Sequence, residues 1–160
     1  MIKVLITGGN GQLGQSFRYW SSEFKDFKFS FKDLPELDLT KSSQIKNYLE
    51  KNTTNYVINC AAYTYVDKAE KETKKAEELN VGAVGMLCKF AKKYKFRLIH
   101  FSTDYVFDGT KNKPYKETEI HSPINVYGIT KARGESLILD SKIDAWIIRT
   151  SWLFSPYGKN

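Results

Sequence analysis

An α/β fold built on a doubly wound parallel sheet is predicted by three observations. Strand-length apolar runs alternate with longer segments of helical period, a glycine-rich turn directly follows the first run, and the polar motifs fall where the runs end. Strands are expected at residues 3–6, 28–31, 56–60, 97–102 and 145–149. Helices are expected near 11–22 and 42–51, as a long stretch within 66–94, and at 123–139. Right-handed βαβ crossovers then bury the sheet on both faces, and a ligand crevice forms at the strands' carboxyl ends where strand order reverses. The sequence carries no internal repeat, linker or low-complexity tract.

Composition agrees with one domain. The chain has 160 residues, 41% apolar and 14% aromatic, enough for a sizeable core, which excludes a disordered tail and a disulfide-stapled miniprotein. Cys60 and Cys88 lie inside apolar stretches and read as buried thiols. No apolar run approaches the roughly 18 residues of a membrane-spanning helix. Met1-Ile2-Lys3-Val4-Leu5-Ile6 runs into glycines rather than a cleavage pattern. A cytoplasmic chain with no membrane partner is expected. The net charge of +7 comes from 25 basic and 18 acidic residues, interleaved as in Lys68-Ala69-Glu70-Lys71-Glu72-Thr73-Lys74-Lys75, the pattern of a solvated helix face. With no zinc spacing, RNP-type strand or basic region before heptads, no nucleic-acid partner is expected.

After the first strand stands Thr7-Gly8-Gly9-Asn10-Gly11-Gln12-Leu13-Gly14, with glycines at 8, 11 and 14. Three tasks call for glycine here: a turn of unusual φ, a close backbone approach to a pyrophosphate, and tight packing of helix on strand. The following helix N-terminus suits phosphate, so the turn reads as a dinucleotide site of a Rossmann-like fold. About 20 residues on, where such folds meet the adenosine ribose, the second strand ends at Phe31-Lys32-Asp33. Lys32 favours a 2′-phosphate and hence NADPH. Asp33 would accept ribose hydroxyls and leaves NADH open. In Leu37-Asp38-Leu39-Thr40, either Asp38 or Thr40 could cap the next helix.

Tyr127-Gly128-Ile129-Thr130-Lys131 sets a phenol and an ammonium on one helix face. The lysine charge is expected to bring the tyrosine pKa down from about 10 toward the useful range for proton transfer. The fourth strand ends in Ser102-Thr103-Asp104-Tyr105, so Thr103 or Ser102 can hydrogen-bond a substrate carbonyl oxygen as hydride reaches its carbon.

Together these motifs resemble the extended short-chain dehydrogenase/reductase superfamily over essentially the whole chain and, within it, the dTDP-4-dehydrorhamnose reductase family. The closer resemblance is carried by Gly11-Gln12-Leu13-Gly14, by Cys60-Ala61-Ala62-Tyr63-Thr64-Tyr65-Val66-Asp67-Lys68-Ala69-Glu70, by Ser102-Thr103-Asp104-Tyr105-Val106-Phe107-Asp108-Gly109, and by Arg149-Thr150-Ser151-Trp152-Leu153. The resemblance implies NAD(P)H-dependent reduction of the 4-keto group of dTDP-4-dehydro-L-rhamnose, in dTDP-rhamnose and cell-surface polysaccharide biosynthesis. It implies that Gly11, Gln12 and Leu13 line the cofactor phosphates, Asp38 and Leu39 border the adenine, and Ala62, Tyr63 and Thr64 flank the cofactor. Thr103, Tyr127 and Lys131 become the catalytic trio, Lys131 also holding the nicotinamide ribose, while Asp104 and Trp152 face the sugar nucleotide. No metal ligands are assigned; magnesium and a homodimer enter only through the resemblance.

Members of that family continue into a portion covering the sugar nucleotide. The chain is therefore read as residues 1–150, a dinucleotide-binding domain, and 151–160, the start of a substrate region largely absent here, with turnover expected to be weak without it. Dehydratases of the superfamily follow the threonine with Asp-Glu; Asp104-Tyr105 argues for simple reduction. Two rivals remain: a regulatory binding protein resembling the methionine adenosyltransferase β-subunit, and another nucleotide-sugar reductase or epimerase.

Overall fold

The computed structural model describes residues 1–158; Lys159 and Asn160, the end of the expected 151–160 segment, lie outside the described residues. Five parallel strands, β1 (Ile2–Thr7), β2 (Phe27–Lys32), β3 (Tyr56–Asn59), β4 (Arg97–Thr103) and β5 (Ala145–Thr150), form one sheet in the order β2-β1-β3-β4-β5. The helices are α1 (Gln12–Trp20), α2 (Ser42–Lys51), α3 (Val66–Ala69), α4 (Thr73–Glu77), α5 (Ala83–Tyr94) and α6 (Val126–Ser141). Each expected strand is present within a residue or two. Strand order reverses between β1 and β3, because α1 leads outward to β2 and α2 leads back across β1 to β3.

The two faces of the sheet are covered unequally. Leu5, Val57 and Leu98 pack with Ile45 and Leu49 of α2, Leu87 and Phe90 of α5 and Ile138 of α6 in the larger core. On the other face Val4, Ile6 and Ile58 form a smaller cluster with Phe17 of α1 and the β2 aromatics Phe29 and Phe31. The alternation along β5 leaves Trp146 and Ile148 exposed on that thinner side.

Two local expectations are corrected. The long helix within 66–94 is broken into α3, α4 and α5, with a π turn at Glu78–Gly82 leading into α5. A π turn adds one residue per turn and so shifts the phase of the helix; here Asn80 is 1% exposed. Neither Asp38 nor Thr40 caps α2, whose N-cap is Lys41. Asp38 instead accepts from the Thr40 backbone N–H (2.8 Å) and hydroxyl (2.7 Å), closing a local turn. Both cysteines are free. Cys88 is buried, and burial pushes the half-buried Cys60 thiol up to about 12.

Candidate functional site

The glycine turn leaves β1 at Gly8, with φ +66°, and enters α1 through Gly11. A Cβ on Gly8 would lie 2.6 Å from the Ala61 nitrogen, and one on Gly14 would collide with the Gly8 carbonyl oxygen, so the fold itself demands glycine at both. Gly11 differs: a Cβ there meets only the Gly8 oxygen, at 3.3 Å. Its missing side chain keeps open the space at the mouth of α1, where no side chain caps the helix.

That space opens into a cleft of about 620 Å³ across the carboxyl ends of β1, β3, β4 and β5. Gly11, Gln12 and Leu13 line it from one side and Ala62 and Thr64 from the loop after β3. Thr103, Asp104, Tyr127 and Lys131 line it from the other, with Trp152 and Leu153 at its edge. Residues separated by more than a hundred positions thus share one opening, at the switch point the strand order defines.

The remaining expected site residues stand elsewhere. Gly8 and Gly14 shape the turn without lining the cleft. Leu39 is 5% exposed within the larger core, and with Asp38 it lies outside the lining. Tyr63 also lies outside it: its hydroxyl donates to Glu72 at 2.6 Å, which pushes the phenol up to about 12. Lys32 pairs with Glu36 at 2.7 Å, and the Asp33 carboxylate accepts from the backbone N–H groups of Asn10 (2.9 Å) and Leu34 (2.8 Å). Asp33 therefore ties the glycine turn to the end of β2.

Three features were missed. Asn80, in the π turn, accepts from the Tyr63 N–H (2.9 Å) and donates to the Tyr63 carbonyl (3.0 Å) and the Thr130 hydroxyl (3.1 Å), so it clamps the β3 loop to α6. Glu135, fully buried, receives Arg149 through Nε (3.0 Å) and Nη2 (2.6 Å) and anchors α6 to β5. Burial alone would raise its carboxyl, but the Arg149 hydrogen bonds bring it below the usual range. His100, 1% exposed, backs onto Lys131. Single polar residues in apolar surroundings carry no spacing that would reveal such partners.

The electrostatics of the pair differ from expectation. Burial pushes the Tyr127 phenol above the usual tyrosine range; a hydrogen bond with Thr103 opposes this, while Asp104 and Tyr105 add to it. Lys131, 2% exposed, turns its Nζ to the Phe101 carbonyl at 2.7 Å, and burial brings it down to about 8 against the pull of Glu135. The expected lowering of Tyr127 by Lys131 is thus replaced by a neutral phenol beside a desolvated ammonium. Asn125 caps α6, its Oδ1 accepting from the Gly128 N–H at 2.7 Å, which starts the helix where Tyr127 reaches the cleft. Among the described residues no group of three His, Cys, Asp or Glu side chains could hold a metal ion, and no helix is long and apolar enough to cross a membrane.

A doubly wound sheet with a glycine turn after β1 and a Tyr/Lys helix at the cleft defines the short-chain dehydrogenase/reductase class. Within that class the chain belongs to the family described as RmlD substrate binding domain, whose model matches residues 2–160. It is 42% identical to a dTDP-4-dehydrorhamnose reductase of Aggregatibacter actinomycetemcomitans, covering 100% of this chain and 54% of that protein. It is also 34% identical to methionine adenosyltransferase 2 subunit beta of Rattus norvegicus, covering 98% of this chain and 48% of that one. A solved dTDP-4-dehydrorhamnose reductase of Bacillus anthracis in complex with NADP superimposes with a TM-score of 0.94 at 36% identity, over 100% of this chain and 57% of the other. The chain spans about half the length of the curated relatives it matches.

Proposed function

We propose that this chain is the cofactor-binding and catalytic part of an NAD(P)H-dependent oxidoreductase that reduces the 4-keto group of dTDP-4-dehydro-L-rhamnose to dTDP-L-rhamnose. The observation that carries the reading is the convergence of Thr103, Tyr127 and Lys131 on one cleft with Gly11, Gln12 and Leu13. The relatives named as reductases, and the NADP complex of one of them, support it.

A nicotinamide dinucleotide suits these groups. The bare Gly11 and the α1 N-terminus would hold its phosphates, Ala62 and Thr64 would flank it, and Lys131, which lines the same cleft, would hold its nicotinamide ribose. When bound, the cofactor supplies a hydride to the keto carbon. Tyr127, kept protonated by burial, gives its phenolic proton to the keto oxygen, and the Thr103 hydroxyl hydrogen-bonds that oxygen as charge grows on it. Carbon gains the hydride and oxygen the proton, so the ketone becomes an alcohol. Asp104 and Trp152, at the cleft's outer edge, face the sugar nucleotide. Residues 1–150 form the dinucleotide-binding part and the segment from 151 begins the substrate side. On this reading the chain works in the cytoplasm.

NADPH is the preferred cofactor. The Lys32–Glu36 contact at 2.7 Å joins a half-buried lysine to an exposed carboxylate that water screens, so Lys32 is readily released to a 2′-phosphate. Separate titrations with NADPH and NADH test this, and equal affinities remove the preference. In a protein carrying this chain and its substrate region, Tyr127→Phe is expected to lower kcat by at least about 100-fold with the cofactor dissociation constant unchanged; an unaltered rate overturns the reading. A second reading, binding without turnover, is favoured by the likeness to the methionine adenosyltransferase subunit. Cofactor binding with no reductase activity in the same assay would select it.

A further inference from the structure

Behind the cleft a row of buried polar side chains crosses the sheet and ends on Lys131. Thr7 on β1, Asn59 on β3 and His100 on β4 are each at most 2% exposed. Thr7 Oγ1 lies 2.7 Å from Asn59 Oδ1, Asn59 Nδ2 lies 3.0 Å from His100 Nδ1, and His100 Nε2 lies 3.3 Å from Lys131 Nζ. Polar groups in a sheet interior are costly unless each is partnered, and apolar residues would fill the same space without that demand.

An ammonium has three N–H donors and no lone pair. The Phe101 carbonyl takes one at 2.7 Å, His100 Nε2 takes a second, and the third is left for the cleft that Lys131 lines. We propose that His100, held by Asn59, is a positioning residue for Lys131, taking one of its donors so that another is aimed into the cleft, and changing tautomer with the charge on Lys131. This rests on the reading of Lys131 as a cofactor-binding group.

The chain of partners permits the coupling: an ammonium demands a bare Nε2, whereas an amine can also accept from an Nε2–H. With Lys131 charged, Nε2 must be bare, the ring proton sits on Nδ1, and Asn59 must offer Oδ1. With Lys131 neutral, Nε2–H can donate to the amine's lone pair while Nδ1 stays bare and accepts from Asn59 Nδ2. A half-turn of the Asn59 amide exchanges the two, and the Thr7 hydroxyl, both donor and acceptor, serves either. His100 itself stays neutral, because burial and the Lys131 charge both hold it well below the usual histidine range. Other titratable groups here are Tyr127, a turn earlier on α6, Glu135, which favours the charge and is itself paired with Arg149 of β5, and Cys60, Asp104 and Tyr105, which line the same cleft.

Imidazole nitrogen NMR spectra of the chain test this, since His100 and His121 are its only histidines and His121→Gln isolates the His100 signals. The expected result is a neutral His100 that passes from the Nδ1–H to the Nε2–H form as pH rises through about 8, a change absent in Lys131→Met. A ring that keeps one tautomer, or protonates in the ordinary histidine range, overturns the proposal. In NADPH titrations His100→Phe, which keeps a ring and loses both nitrogens, is expected to weaken binding about tenfold, and His100→Gln to recover most of it. Unchanged binding in His100→Phe, or equal loss in both variants, also overturns it. A wild-type chain that binds no nicotinamide cofactor overturns the cofactor reading instead, and the tautomer measurement still decides the coupling.

Discussion

At the β1 side of the cleft the chain presents backbone: a turn whose glycines are set by contacts among Gly8, Gly14 and Ala61, opening onto a helix with no side-chain cap. At the α6 side it presents buried side chains, with Lys131, Glu135 and Thr130 each at most 2% exposed and each tied to a partner on another element. The backbone side tolerates no added atom at Gly8 or Gly14, because main chain cannot move aside. The side-chain side depends on pairing, because a polar group without its partner is penalised in the interior. One side is limited by space and the other by electrostatics, and substitutions should separate the two.

The largest effect is expected at Gly14. Gly14→Ala drives a Cβ into the Gly8 carbonyl and should cost more than about 4 kcal/mol in urea unfolding. Gly11→Ala should cost no more than about 1 kcal/mol while weakening NADPH binding, since its Cβ meets one atom at 3.3 Å. Similar losses of stability in both would erase the distinction between fold-required and ligand-required glycine. Next in size is Glu135→Leu, which leaves Arg149 facing an apolar site and should cost about 3 kcal/mol by the same measurement. A neutral result would mean that the α6–β5 pair is held by packing alone.

The smallest effect, and the sharpest, is in pH dependence. Lys131 releases its proton near 8 in the native state and near 10.5 when unfolded, so the unfolded chain binds more protons between those values and stability rises with pH there. The slope from this group approaches about 1.4 kcal/mol per pH unit at most. Comparing wild type with Lys131→Met should show the wild type gaining over that window; parallel curves would mean that the ammonium is better solvated than its burial implies.

Much of the fold was legible in the sequence. The apolar runs around Val4-Leu5-Ile6 and Val57-Ile58 announced strands buried on both faces, and the turn from Gly8 to Gly14 announced the crevice. Thr103 was legible from the end of the fourth strand and Tyr127 with Lys131 from their spacing on one helix face, but the three stood together only through the family resemblance; the structure brings them to one cleft. Other roles were hidden. Asp33 gives both carboxylate oxygens to the backbone, Leu39 belongs to the core, and Tyr63 spends its hydroxyl on Glu72. The expectation that Lys131 lowers Tyr127 failed because it used spacing along α6 and left out Phe101 and His100, which belong to β4 and hold the ammonium.

By itself the sequence determined the period of each element, the place of the phosphate-type turn and the residue types at the strand ends, because these depend on neighbours within a few positions. Tertiary structure alone decided which polar groups meet. Asn80 reaches Tyr63 across 17 positions, Arg149 reaches Glu135 across 14, and Asn59 reaches His100 across 41. Such pairings follow from strand order and helix phase, and they set the direction of Lys131 because a buried polar group is penalised when its partner is lost.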